Sequence, residues 1–168
     1  MQVSGAAILE RVKAGEGLQA IADGLSSEQI VVAVLAGKSA IRYGLAALDD
    51  AALARRDIGG WTIPDTLGHA LRADADAHRI ARSLALGRPP EIGIVYDEPG
   101  PPMTKAGLIE AIGEAEARAA EARVLAAGGP KHAHRDVGEL DARGWILFIA
   151  VHDALHLHQA AAIARAPR

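Results

Sequence analysis

Apolar residues recur along this chain at three- and four-residue intervals, interrupted by short polar or Gly- and Pro-containing stretches. That periodicity predicts amphipathic helices rather than strands. From about Ala6 to Asp23 the apolar positions are Ile8, Leu9, Val12, Leu18 and Ile21, with Gly15 and Gly17 between them. Two glycines inside one helical pattern weaken it, so a broken or short helical arm is expected. Ser26 followed by Gln29 predicts a capping box opening a stronger helix, with Ile30, Val31, Val34, Leu35, Ile41, Leu45 and Leu48 on one broad side. That helix is expected to end near Asp49 and Asp50, with a short turn before Gly59-Gly60.

Thr62, Pro64 and Asp65 form the next helix start, and Ile63, Leu67, Ala70, Leu71, Ala77, Ala81 and Leu84 give it an apolar stripe ending at Gly87. Arg88 to Pro102 reads as a loop, with Ile92, Ile94, Val95 and Tyr96 extended against the helices. Thr104 caps a further helix, expected to run to about Ala127 and stop at Gly128-Gly129-Pro130. A polar loop with His132 and His134 leads to a last helix from about Asp141 to Ala164. Residues 1–25 are thus expected to be an N-terminal helical arm, and 26–168 an all-α four-helix bundle, within one domain.

Composition agrees with helix. Half of the 168 residues are apolar, yet only 3% are aromatic, and Ala is the largest single contributor to that half. Ala and Leu lose little side-chain freedom in a helix. With Lys+Arg 18 against Asp+Glu 21 the net charge is −3, which speaks against nucleic-acid binding by phosphate neutralisation. The chain has no cysteine, so disulfides, cysteine-zinc sites and a protein thiol nucleophile are excluded. The opening residues lack the basic-then-apolar design of a leader, and the apolar run from Trp145 to Val151 is too short to span a bilayer. A cytoplasmic protein without membrane attachment is expected.

The last helix carries the candidate chemistry. At about 100° per residue, Trp145, Phe148, Ile149, His152, His156, Gln159 and Ile163 fall on one stripe. His152 and His156 therefore lie one turn apart on a core-facing side, where both imidazoles can reach one metal ion. His158 points away from this stripe. The alternative is a pair of core-edge histidines satisfied by hydrogen bonds. His69, on the Thr62 helix at the margin of its apolar stripe, is the candidate third ligand, or else a half-exposed helix histidine.

Trp61-Thr62 followed by His69, and His152-Asp153 with His156 and Gln159, resemble the two motifs of the DinB/YfiT-like family. The resemblance covers roughly Gln29 to Ile163. It implies a four-helix bundle with up-down-down-up connections and a divalent metal, zinc or nickel, held by His69, His152 and His156. It also implies thiol-transferase or isomerase chemistry with a low-molecular-weight thiol such as bacillithiol, mycothiol or glutathione, and a homodimer. The first 25 residues do not match the family pattern and are expected to cover the bundle or mediate dimerisation.

Asp74 also matches an acidic position of the family. By spacing it falls inside the apolar arc of its helix, so it is either a general base assisting the metal or a member of a buried ion pair, with His78 one turn away as a partner. Gln159 is expected to hydrogen-bond a ligand histidine or line the cofactor pocket. Asp153 is off the ligand stripe and is expected to orient a neighbouring helix. His132 and His134 read as ordinary loop residues, and Trp61 as core packing at a helix entrance. Three functions compete on this reading: thiol transfer to a small electrophilic substrate, hydrolysis by metal-bound water with help from Asp74, and a non-catalytic stress-response bundle with a structural metal.

Overall fold

The computed structural model describes residues 3–94 and 96–166. Val95, expected in the extended stretch, lies outside them. Seven α-helices follow in order: α1 (Gly5–Lys13), α2 (Leu18–Asp23), α3 (Ser27–Ala46), α4 (Asp50–Leu53), α5 (Ile63–Ala85), α6 (Lys105–Glu121) and α7 (Ala142–Arg165). Between α6 and α7 lie a short 3-10 turn (Ala122–Val124) and the antiparallel hairpin β1 (His132–His134) and β2 (Gly138–Leu140). Among the described residues the fold is all-α but for that hairpin.

The bundle is made by α3, α5, α6 and α7. Helix α7 packs on α3 and α5, and α6 packs on the same two from the other side, so α6 and α7 stand on a diagonal. Helix starts are set by local chemistry. Ser26 with Gln29 and Thr62 with Asp65 form complete capping boxes, and Thr104 and Asp141 accept hydrogen bonds from the amides of Gly107 and Gly144. Each satisfies a first-turn N–H that has no partner inside its own helix.

Helix α7 is the central strut. Every residue from Ala142 to Val151 is buried, so its first half is packed on all sides rather than along one stripe. Helices α3 and α7 reach the length and mean hydropathy of a membrane span, and in this fold both are bundle helices.

Two differences from the sequence reading have physical reasons. Helix α6 ends at Glu121 and tightens into the 3-10 turn instead of running to Ala127. Tertiary bonds capture the chain first: the Ser27 hydroxyl donates to Leu125 O at 2.8 Å, and the Gly128 amide donates to Asp141 Oδ2 at 2.9 Å. The hairpin was expected as loop; its three-residue strands are too short for an alternating pattern to register.

The N-terminal arm joins the core. Ile8, Leu9, Leu18, Ile21 and Ala22 are buried in the same cluster as Trp145, Phe148 and Ile149 of α7. Gly5 lets α1 press on α7, since a Cβ there would lie 2.0 Å from the carbonyl oxygen of Ala150. Gln19 accepts from the Asp141 amide at 2.8 Å, and Arg143 donates to the carbonyls of Ala22 and Leu25.

Candidate metal centre

His69 sits on the second turn of α5 and is 6% exposed. The loop between α5 and α6 crosses α5 at that point because Gly68 and Gly100 present no side chains to each other. A Cβ on Gly100 would come 2.2 Å from the His69 amide nitrogen. The crossing brings the Glu98 carbonyl to His69, whose Nδ1–H donates to it at 2.8 Å. With Nδ1 carrying the proton, Nε2 is left as the free lone pair.

His152 and His156 reach the same place from α7, one turn apart. Each of the three imidazoles offers a ring nitrogen, and these nitrogens all lie within 4.8 Å of one another. The Nε2 atoms of His152 and His156 stand 3.1 Å apart. His156 Nδ1–H donates to Gln159 Oε1 at 2.9 Å, and the Gln159 amide donates onward to Asp57 Oδ2 at 2.7 Å. Asp57 is fixed in turn by the Trp61 amide, which donates to Oδ1 at 2.9 Å. A carboxylate–amide–imidazole chain thus sets the tautomer of His156 and raises its basicity toward a cation.

The donor set fits a divalent ion of the zinc type. Two nitrogens each about 2.0–2.1 Å from a tetrahedral ion stand roughly 3.3 Å apart, close to the His152–His156 spacing. Burial pushes His152 well below the ordinary imidazole value, reinforced by the charges His156 and His69 would carry. Burial also lowers His156 to about 4, against the Gln159 hydrogen bond, and lowers His69 against its bond to Glu98. Three neutral imidazoles with converging lone pairs are ready to bind a metal near neutral pH.

The cluster forms the floor of a cavity of about 600 Å³. Trp61 packs at 5.3 Å between ring centroids from His69, and Phe148 at 5.0 Å from His152. Trp61 is therefore a half-buried cavity wall, not the core residue expected at a helix entrance. His134, expected in an ordinary loop, is 5% exposed on β1 and packs against Tyr96, Trp145 and Phe148. Arg135 closes the rim by stacking 4.0 Å over Tyr96 and pairing with Asp97 at 2.8 Å. Among the described residues, the group that could hold an ion is these three histidines, with no fourth His, Asp or Glu.

A family model described as the DinB superfamily matches residues 36–160. The chain belongs to the DinB superfamily. No curated relative and no solved structure matches it. The DinB segment contains His69, His152 and His156 together with Asp57 and Gln159, while α1 and α2 lie outside it.

The structure sorts the remaining candidates of this DinB chain. Asp74 does not line the cavity. It is 1% exposed and its carboxylate faces Lys38 Nζ at 2.8 Å and Arg118 at 3.1 Å, with His78 Nδ1 at 3.4 Å. Of the two roles open to Asp74, the geometry offers the ion pair and gives a general base nothing to act on. Asp153 takes the other side of Lys38 at 2.9 Å and ties α7 to α3. Burial raises Asp153 to about 6 despite the Lys38 charge, whereas burial of Asp74 is outweighed by Lys38 and His78, which hold it well below the carboxylate range. His158 is exposed and away from the cluster.

Gln159 both lines the cavity and bonds His156. Sequence reasoning missed Asp57 and Lys38. Asp57 sits in a turn with no periodicity, and its only sequence signal was the Gly59-Gly60 break beside it. Lys38 could have been found as a lone cation on the apolar side of α3, midway between Val34 and Ile41.

Proposed function

We propose that this DinB protein is a metal-dependent enzyme that transfers a low-molecular-weight thiol to a small electrophile, with His69, His152 and His156 as the ligands of a zinc or nickel ion. The observation that carries the reading is the convergence of three neutral imidazoles on the floor of an open cavity with no fourth protein ligand. A closed fourth position would suit a structural metal instead. When bound, the ion supplies an open coordination position and a positive charge that favours the thiolate form of a thiol.

The chain's own residues do the rest. Glu98 O and Gln159 hold two of the imidazoles in the required tautomer, and Trp61 and Phe148 pack beside the rings of His69 and His152. The thiol sulfur forms the new bond to the electrophilic carbon, the leaving group departs with its electron pair, and the thiol proton passes to solvent. Hydrolysis is the weaker reading because Asp74, which would assist it, is committed to Lys38.

The test is consumption of 1-chloro-2,4-dinitrobenzene by metal-loaded protein with and without an added thiol panel. The proposal expects turnover that requires both metal and thiol and is lost in His152→Ala. Thiol-independent consumption, or full turnover in the variant, would refute it.

A further inference from the structure

We infer that the N-terminal arm is the specificity wall of the cavity, and that the ligand it admits has an uncharged apolar body. The inference rests on the proposed function only for which end of the ligand faces the histidines. Helix α1 places Leu9 and Val12, one turn apart, on the cavity. On α7 the row Phe148, Val151 and Leu155 lines the same cavity beside the row that carries His152 and His156. The two apolar rows belong to helices in direct contact. Together they give the histidine cluster an apolar flank that a hydrocarbon or aromatic group would cover. Leu155 is 48% exposed, so part of that flank is open to an incoming molecule.

The charges at the cavity narrow the choice further. Its lining holds the carboxylates of Asp57, Asp97 and Asp136 against the single guanidinium of Arg135. That guanidinium is already shared between Asp97 and Asp136. Asp57 is engaged by neutral donors alone, Gln159 and the Trp61 amide. In the metal-free cavity an anionic group on the ligand body would meet three carboxylates against one guanidinium, and among the described lining residues that guanidinium is already paired. A neutral body meets no such penalty and gains from leaving water against Leu9 and Val12. The arm lies outside the segment matched by the DinB family model, so this wall is a feature that the family match does not supply.

Two fluorophores with the same ring system test this directly: neutral N-phenyl-1-naphthylamine and its sulfonated analogue 1-anilinonaphthalene-8-sulfonate. Each is titrated into as-purified protein, with a chelator-treated sample beside it and metal content measured on both. The expected result is that the neutral probe binds at least about tenfold more tightly than the sulfonate in the metal-free sample. Val12→Ala is expected to weaken the neutral probe by about fivefold, and Val12→Trp to block it. Val12 is half-buried near the end of α1, so circular dichroism and thermal melting identify either variant that fails to fold, and the other then decides. Equal affinity for both probes, or a neutral-probe affinity indifferent to Val12 in a folded variant, would overturn the inference. Absence of metal with the probe pattern intact would remove the proposed enzyme reading while leaving the specificity wall standing.

Discussion

Two of the three clustered histidines, His69 and His156, are oriented by an atom that carries no metal chemistry of its own. His156 is held by Gln159, and Gln159 by Asp57, so Asp57→Asn is expected to weaken metal binding although Asp57 never touches the ion. Loss of such an outer partner typically costs about 10–100-fold in affinity, measurable by competition with a chromophoric chelator. His156→Ala should abolish stoichiometric binding, and retention of full metal content in that variant would remove the ligand assignment.

The imidazoles also set a pH dependence in the metal-free protein. His156 is lowered to about 4 in the fold by burial, and His152 and His69 are shifted in the same direction. Between the ordinary imidazole value near 6.5 and about 4, the unfolded chain binds more protons than the folded one. Stability is therefore fully present above that window and falls as pH drops through it. Asp153, raised to about 6 by burial, acts in the opposite sense over part of the window, but three imidazoles outnumber it. Denaturant titrations at pH 7 and pH 4.5 should show a lower midpoint in acid, and an unchanged or higher midpoint would contradict the burial of the cluster.

Among elements, the loop between α5 and α6 positions the site through a backbone carbonyl. Its crossing over α5 depends on Gly100, where no Cβ fits, and on Gly68, where a Cβ would lie a tight 3.3 Å from the loop backbone. Gly100→Ala is expected to push the loop off α5, release His69 from Glu98 O and lower metal affinity while the far-ultraviolet circular dichroism stays helical. Normal affinity in that variant would show that the carbonyl is not what orients His69. The helices, their caps and the one-turn spacing of His152 and His156 were legible in the sequence because periodicity and capping residues are local. The metal-facing side of α7 was legible for the same reason. What the sequence hid was long-range: the Glu98 carbonyl has no side-chain signature, Asp57 lies in an aperiodic turn, and His134 becomes a wall only because the short hairpin folds it against Phe148.

Across the whole molecule, a buried ion layer divides the core. One apolar cluster gathers α1, α2 and the first half of α7, and a second gathers Ile41, Leu45, Ile63, Leu67, Leu108 and Ile163. Lys38, Asp74 and Asp153 stand at the register where one gives way to the other, linking α3, α5 and α7. Replacing the cation leaves two buried carboxylates facing each other, so Lys38→Met is expected to destabilise the fold by about 3–5 kcal/mol in equilibrium denaturation. A change under about 1 kcal/mol would show that the layer is replaceable by apolar packing. The DinB superfamily model matches residues 36–160, so the arm that completes the first cluster lies outside the matched segment.

The central claim is that three histidines from two helices hold one divalent ion. It is tested most directly by mass-spectrometric metal content of protein purified without a histidine tag or added metal, beside the His152→Ala/His156→Ala double variant. The account predicts close to one zinc or nickel per chain in the parent protein and none in the folded variant. Equal metal in both samples, or none in either after incubation with zinc and nickel, would contradict it.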